Sequence, residues 1–405
     1  MLVCGLLGEK LGHSYSPQIH ALLADYEYPL IEIKTEDLGD FIKNGNWNGL
    51  NVTIPHKKSV IEFCDELSAE AKITGSVNTL IKRADGTVFG DSTDVYGFKK
   101  LVEKSKIDVK GKKTLVLGNG GAASAVVFAL EQMGAKVTVI SRRGEDNYNN
   151  IDKHFDAQVI VNTTPVGMFP NNNVSPIELK NFKNCRGVID IIYNPEKTEL
   201  LLQAQELNIP CINGLYMLVA QAKRSSEQFL QSKIDDKAID EIQEKLAKQM
   251  RNIVLVGMPG CGKSTVAKEL GNALQKEVLE ADELIEQTAQ KTIPQIFAQS
   301  GEEEFRKIES QVLGNLGKKS GVIISTGGGA VTKEENYKFL KQNGIVIWIK
   351  RDISLLSREG RPLSQKNNLA QMYEARKPLY SKFADFTVDN NKSIDKTVEQ
   401  ILTLI

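Results

Sequence analysis

Residues 253–264 read Ile-Val-Leu-Val-Gly-Met-Pro-Gly-Cys-Gly-Lys-Ser. A β-favouring apolar run enters Gly257 to Ser264, which satisfies G-x-x-x-x-G-K-[ST] in full. Val266, Leu270 and Ala273 then follow at helical spacing. A strand that feeds a helix through such a loop aims successive backbone N–H groups at one point and makes a nest for an anion. Lys263 would reach the β/γ-phosphates of ATP and the Ser264 hydroxyl would ligate Mg²⁺. Gly260, Cys261, Gly262 and Thr265 complete the phosphate loop.

Upstream lies a second glycine-rich strand-to-helix junction. Thr114-Leu115-Val116-Leu117 leads into Gly118-Asn119-Gly120-Gly121-Ala122, and Ala123, Val126, Val127 and Leu130 then share one helical face. Glycines let a backbone approach a pyrophosphate, although the third glycine of the usual spacing is absent here. The next predicted strand, 137–140, ends in Ser141-Arg142-Arg143. NAD sites carry an acid at this place for the ribose 2′-hydroxyl. Two cations suit a 2′-phosphate, hence NADP, and the other reading is a solvated surface pair. Runs at 159–162 and 187–191 extend this sheet, while runs at 3–7, 30–33, 49–53 and 79–81 predict a separate α/β unit. Ile239, Ile242 and Leu246 mark an amphipathic helix ending near Met250, which puts a domain boundary there.

At 405 residues, the chain has room for two or three domains. Its 51 basic and 51 acidic side chains cancel, which argues against a nucleic-acid partner. No apolar stretch approaches the roughly 18 residues of a membrane span. Met1 to Gly8 has no basic segment, so no secretory signal is expected. Five scattered cysteines (4, 64, 185, 211 and 261) suit a reducing compartment, and His13, His20, His56 and His154 show no metal spacing. The expected location is the cytoplasm, with small molecules as partners and no nucleic acid or membrane.

Several further segments fall in one order. They are His13-Ser-Tyr-Ser-Pro17, Asn51-Val-Thr-Ile-Pro-His-Lys57, Gly75-Ser-Val-Asn-Thr79, Gly90-Asp-Ser-Thr-Asp94, Asn162-Thr-Thr-Pro-Val-Gly-Met168 and Gly214-Leu-Tyr-Met-Leu-Val-Ala-Gln221. Singly, each reads as a capped turn, and a Lys with an Asp reads as a surface ion pair. Together, over residues 1 to about 248, they resemble shikimate dehydrogenase. The resemblance implies that Lys57 and Asp94 are the acid/base pair. It implies Ser14 and Ser16 on the substrate carboxylate, and Thr53, Asn78, Asp94 and Gln221 on the ring hydroxyls. Gly118, Gly120, Gly121, Ala122, Ser141, Arg142, Arg143 and Gly214 would then meet the NADP(H). Ser92 and Ser141 each stand where that family usually has Asn.

Residues 251–405 carry Glu280-Ala-Asp282, Gly301-Glu-Glu-Glu-Phe-Arg306, Thr326-Gly-Gly-Gly329, Arg361-Pro-Leu363 and Ala375-Arg-Lys-Pro-Leu-Tyr380. With the phosphate loop, this series resembles shikimate kinase. It implies that Arg306 and Arg376 grip the substrate carboxylate, Asp282 meets the attacking hydroxyl, and the triple glycine around Gly328 lets backbone amides approach the ring. Arg361 would lie in a lid over the ATP phosphates. Glu280 stands where the family has Asp, and Arg358 is a candidate cover for the adenine.

The expected architecture is α/β throughout. A substrate-binding domain spans residues 1–95 and 214–250, and a Rossmann-like NADP domain spans 96–213. A P-loop kinase α/β/α domain with a parallel sheet spans 251–405. The expected function is bifunctional: NADPH-dependent reduction of 3-dehydroshikimate, then phosphorylation of shikimate by MgATP. One alternative is a quinate/shikimate dehydrogenase using NAD, against which Arg142 and Arg143 count. Another is a catalytically silent ligand sensor, against which Lys57, Asp94, Lys263 and Asp282 count.

Overall fold

The computed structural model describes residues 2–12, 14–356 and 369–405. The chain forms two compact units. One comprises Met1–Val166, Ser175–Tyr193 and Gln203–Lys245; the other comprises Gly167–Val174, Asn194–Leu202 and Leu246–Ile405.

The first unit contains two sheets. In the six-stranded one the spatial order is Leu30–Glu32, Cys4–Gly8, Gly49–Val52, Thr79–Lys82, Val88–Asp91, Glu66–Leu67. The sequence pattern favoured parallel sheets, yet this one is mixed. Thr79–Lys82 pairs antiparallel with both Gly49–Val52 and Val88–Asp91. The second of these pairings follows from a tight turn in which the Arg83 and Thr87 backbones are bonded at 2.8 Å, too short a connection for a parallel crossover. Leu7, Leu50, Val52 and Leu80 lie buried on this sheet beneath Leu38, Ile42 and Trp47.

The five-stranded sheet is wholly parallel, in the order Cys211–Ile212, Gly187–Asp190, Val159–Asn162, Lys113–Leu117, Lys136–Ile140. From Lys113–Leu117 the chain first builds to one side and then to the other. The crevice where ligands settle in such sheets therefore opens just beyond Leu117. The helix Gly121–Gln132 covers it with Ala123, Val126, Ala129 and Leu130, while Val127 is only half-buried.

The second unit holds a parallel sheet ordered Val278–Glu280, Ile323–Ser325, Asn252–Val256, Gly344–Lys350, Phe386–Asp389. Ile253 to Val256 are buried on both faces, as a central strand between helix layers requires. The following helix, Lys263–Leu274, buries Val266, Ala267 and Leu270, and Ala273 is exposed. The long helix Ile293–Gly317 starts with a Thr292/Gln295 capping box and breaks at Gly301, whose φ of 78° is non-helical. No helix among the described residues is long and apolar enough to cross a membrane.

Candidate active sites

In the first unit, Lys57 follows the strand Gly49–Val52, and its carbonyl is fixed by the Val77 N–H at 2.8 Å. Its Nζ donates to Asp94 Oδ2 at 2.6 Å, and the side chains are 18% and 9% exposed. Asp94 stands in the first turn of the helix Thr93–Ser105. Asn78 occupies the gap between these elements. Its amide donates to Asp94 Oδ1 (2.9 Å), Thr93 Oγ1 (3.0 Å) and Gln221 Oε1 (3.4 Å), and its carbonyl accepts from the Thr93 N–H (2.7 Å). Both Asp94 oxygens are thus held, one by an ammonium and one by an amide. Such a pair can deliver a proton to an oxygen placed beside Lys57.

Lys57, Asn78, Asp94 and Gln221 therefore form one hydrogen-bonded group. Other contacts place the remaining predicted residues. Ser14 Oγ accepts from the Ser16 N–H at 3.2 Å, ahead of the helix Ser16–Leu23. Thr53 is half-buried at the end of its strand, with its N–H on the Leu7 carbonyl.

At the dinucleotide crevice, Gly118 has φ +108°, and a Cβ there would lie 2.8 Å from Thr163 Oγ1, so only glycine fits. Gly120 precedes the helix Gly121–Gln132, and a Cβ on it would meet nothing within 4 Å. Free N–H groups at the start of this helix, together with its dipole, suit a pyrophosphate. Gly121 and Ala122 form the half-buried first turn. Ser141 is buried beyond Lys136–Ile140, and Arg142 and Arg143 are exposed after it. Gly214 is buried before the helix Leu215–Leu230, its N–H on the Ile192 carbonyl at 3.0 Å.

The second unit has a cleft of about 420 Å³ lined by the phosphate loop, Glu280, Asp282, Arg306, Glu309, Gly327, Gly328, Gly329, Arg351 and Arg376. Lys263 Nζ donates to the carbonyls of Gly257 (3.0 Å) and Met258 (3.2 Å), so the ammonium is tied to its own loop. Cys261 is buried, with its carbonyl accepting from Asn390, and Ser264 and Thr265 are exposed. Ser264 Oγ donates to Glu280 Oε2 at 3.0 Å. Burial raises the Glu280 carboxyl above its ordinary range, and the charges of Asp282 and Glu283 add to this. Asp282 is exposed in the first turn of the helix Ala281–Ala289.

Arg306 is buried and donates to Glu309 Oε2 (2.6 Å) and Glu302 Oε1 (3.1 Å). Burial pushes the Glu309 carboxyl up, and the Arg306 charge opposes this. Arg376 Nη1 and the Tyr380 hydroxyl both donate to the Gly328 carbonyl, at 3.1 and 2.5 Å. The triple glycine also makes room for the protein itself, since a Cβ on Gly329 would stand 2.2 Å from Arg306 Nη1. Arg358 and Arg361 lie outside the described residues.

A protein from Clostridium perfringens named Shikimate dehydrogenase (NADP(+)) is 35% identical over 268 residues, 61% of this chain and 98% of the relative. The chain belongs to the shikimate dehydrogenase family. The family model of the shikimate dehydrogenase substrate binding domain matches residues 6–80, and that of shikimate kinase matches residues 259–405. Among solved structures, a chorismate mutase/shikimate 5-dehydrogenase fusion protein from Clostridium acetobutylicum is 37% identical. The match has a TM-score of 0.58 and covers 61% of this chain and 97% of that one. A shikimate 5-dehydrogenase from Thermus thermophilus in complex with NADP(H) and shikimate is 29% identical. Its TM-score is 0.56, over 60% of this chain and 99% of that one. The protein is therefore an enzyme that joins a shikimate dehydrogenase to a shikimate kinase domain, the fusion that its motifs implied.

Three residues of this shikimate dehydrogenase–kinase fusion went unread in its sequence. Glu309, the partner of Arg306, left only its i+3 helical spacing as a signal. Arg351 lines the kinase cleft from the end of Gly344–Lys350, and nothing in its local sequence marks it. Tyr193 meets Tyr15 edge-on at 6.2 Å between ring centres, a contact that depends on the fold alone.

Proposed function

We propose that residues 1–250 reduce 3-dehydroshikimate to shikimate with NADPH, and that residues 251–405 phosphorylate shikimate with ATP to give shikimate 3-phosphate. The observation that carries the first activity is the Lys57–Asp94 pair at 2.6 Å with Asn78 and Gln221 bonded around it. Bound NADPH supplies a hydride to the ring carbonyl. Lys57 donates a proton to the oxygen as negative charge develops there, and Asp94 holds the ammonium on line. Thr53, Asn78, Asp94 and Gln221 take the ring hydroxyls, each of which would cost roughly 1–3 kcal/mol if buried unpaired. Ser14 and Ser16 face the carboxylate. Gly118, Gly120, Gly121, Ala122, Ser141 and Gly214 seat the dinucleotide, and Arg142 and Arg143 hold its 2′-phosphate.

In the kinase half the phosphate loop and three arginines, Arg306, Arg351 and Arg376, line one cleft. Arg306 and Arg376 grip the substrate carboxylate, since charge-assisted forks fix orientation as well as affinity. Asp282 accepts the proton of the hydroxyl that attacks ATP. Lys263 would exchange its own loop carbonyls for the β/γ-phosphates, and Ser264 would hold Mg²⁺ with Glu280 beside it. Gly328 borders the ring, and Arg361 is assigned to the ATP phosphates. The proposed division is 1–95 with 214–250 for substrate, 96–213 for NADP and 251–405 for the kinase. The proposed location is the cytosol, which suits five free thiols.

Two assays on the purified full chain test this: shikimate-dependent reduction of NADP, and ATP-dependent phosphorylation of shikimate. Lys57→Ala should abolish the first and spare the second, and Asp282→Ala should do the reverse. Wild-type protein that binds shikimate but turns over in neither assay would make it a sensor. Equal turnover with NAD would remove the role of Arg142 and Arg143.

A further inference from the structure

We propose that Ser225 is a positioning residue for the dehydrogenase proton-transfer pair. The inference rests on the reading of Lys57 and Asp94 given above. Ser225 is fully buried one helical turn after Gln221. Its hydroxyl donates to the Gln221 carbonyl at 2.9 Å and accepts from Asn51 Nδ2 at 2.7 Å. It also shares hydrogen bonds with Thr79 Oγ1 at 2.9 Å and Thr93 Oγ1 at 3.1 Å. A hydroxyl has one proton and two lone pairs, so these four neighbours more than fill its three hydrogen-bonding positions.

These partners come from different elements. Asn51 lies in Gly49–Val52, Thr79 opens Thr79–Lys82 directly after Asn78, and Thr93 opens the helix that carries Asp94. Ser225 thus joins both sides of the pair behind the residues that would face substrate. Thr79 and Thr93 both reach Asn78, with Thr79 Oγ1 3.4 Å and the Thr93 N–H 2.7 Å from its carbonyl oxygen. With that oxygen engaged, the amide end of Asn78 is turned toward Asp94 and Gln221. The Asn51 carbonyl oxygen accepts from Tyr28 at 2.6 Å, which anchors the far side of the hub. Removing the Ser225 hydroxyl leaves these buried groups one partner short and loosens the Thr79 and Thr93 side chains that pack behind Asn78. An active-site group that moves by even a fraction of an ångström loses rate, while substrate affinity changes less.

Ser226 supplies the control. It is equally buried and its hydroxyl accepts from Tyr26, outside this hub. Ser225→Ala, Ser226→Ala and Lys57→Ala are compared in the full chain by thermal unfolding, by kcat, KM and the pH profile of NADP-dependent shikimate oxidation, and by kinase rate. Ser225→Ala is expected to lower dehydrogenase kcat roughly tenfold or more, to change shikimate KM less than about threefold and to displace the pH profile. Ser226→Ala should keep the wild-type kcat and profile. If Ser225→Ala folds poorly, Thr79→Val removes one link of the hub at constant volume and is expected to show the same kcat loss. A Ser225→Ala enzyme with wild-type kcat and profile, or one indistinguishable from Ser226→Ala, overturns the inference. Full turnover by Lys57→Ala would instead overturn the reading beneath it.

Discussion

Ser264 and Glu280 face each other across the floor of the kinase cleft, the serine hydroxyl donating to Glu280 Oε2 at 3.0 Å. Neighbouring ligands on octahedral Mg²⁺, with bonds of about 2.0–2.1 Å, stand about 3 Å apart. On the proposed function, Ser264 and Glu280 would hold Mg²⁺ together. Glu280→Gln is expected to weaken Mn²⁺ binding to the nucleotide-loaded protein about tenfold or more, read by electron paramagnetic resonance.

The same residue sets a pH dependence of the metal-free protein. Its folded carboxyl is raised above the unfolded value by burial, then by Asp282 and Glu283. Stability from a raised group is present at low pH and lost as pH rises through the folded value. Metal-free Glu280→Gln should therefore melt higher than wild type at pH 8. The gap should close as pH falls toward the ordinary carboxyl range.

Gly329 borders Arg306 so closely that a Cβ would stand 2.2 Å from Nη1 and 2.4 Å from Cζ. The guanidinium has little freedom to retreat, because fully buried Glu309 holds it at 2.6 Å. Gly329→Ala is expected to raise the kinase KM for shikimate about tenfold or more while leaving NADP-dependent turnover unchanged. Steady-state kinetics of both activities on one preparation would check this.

His20 is buried, stacked on Tyr28 at 3.8 Å, with Nδ1 on the Tyr26 hydroxyl at 2.5 Å. Burial holds its pKa near 3 against an ordinary 6.5. Between these values the unfolded chain takes up a proton that the folded chain refuses, so stability falls as pH drops below 6.5. The loss is about 1.4 kcal/mol per pH unit. Urea unfolding at pH 7.5 and 5.5 should show His20→Phe losing less stability than wild type over that interval, by about that amount.

Asp94→Asn preserves shape but removes the charge that holds Lys57. It is expected to lower dehydrogenase kcat about 10² or more with kinase activity intact. A pre-steady-state hydride-transfer rate equal to that of wild type would contradict that expectation.

The sequence by itself determined what is built from neighbours. Both glycine-rich junctions, the helices behind them and the amphipathic helix ending at Met250 were legible, because strand, loop and helix signals sit within a few residues of one another. The strands Glu66–Leu67, Cys211–Ile212 and Val88–Asp91 went unread, the first two because a run of two residues has no measurable period. The phosphate-loop residues and Arg142 and Arg143 were read from local spacing and charge, and the substrate and acid/base candidates through family resemblance. How they meet was decided by tertiary structure alone. Asp94 finds Lys57 across 37 residues, Gln221 finds Asn78 across 143, and Ser225 finds Asn51 across 174. A buried hydroxyl or carboxylate gets its role from what the packed core sets against it. That partner is chosen by sheet order and helix docking, which local composition does not encode.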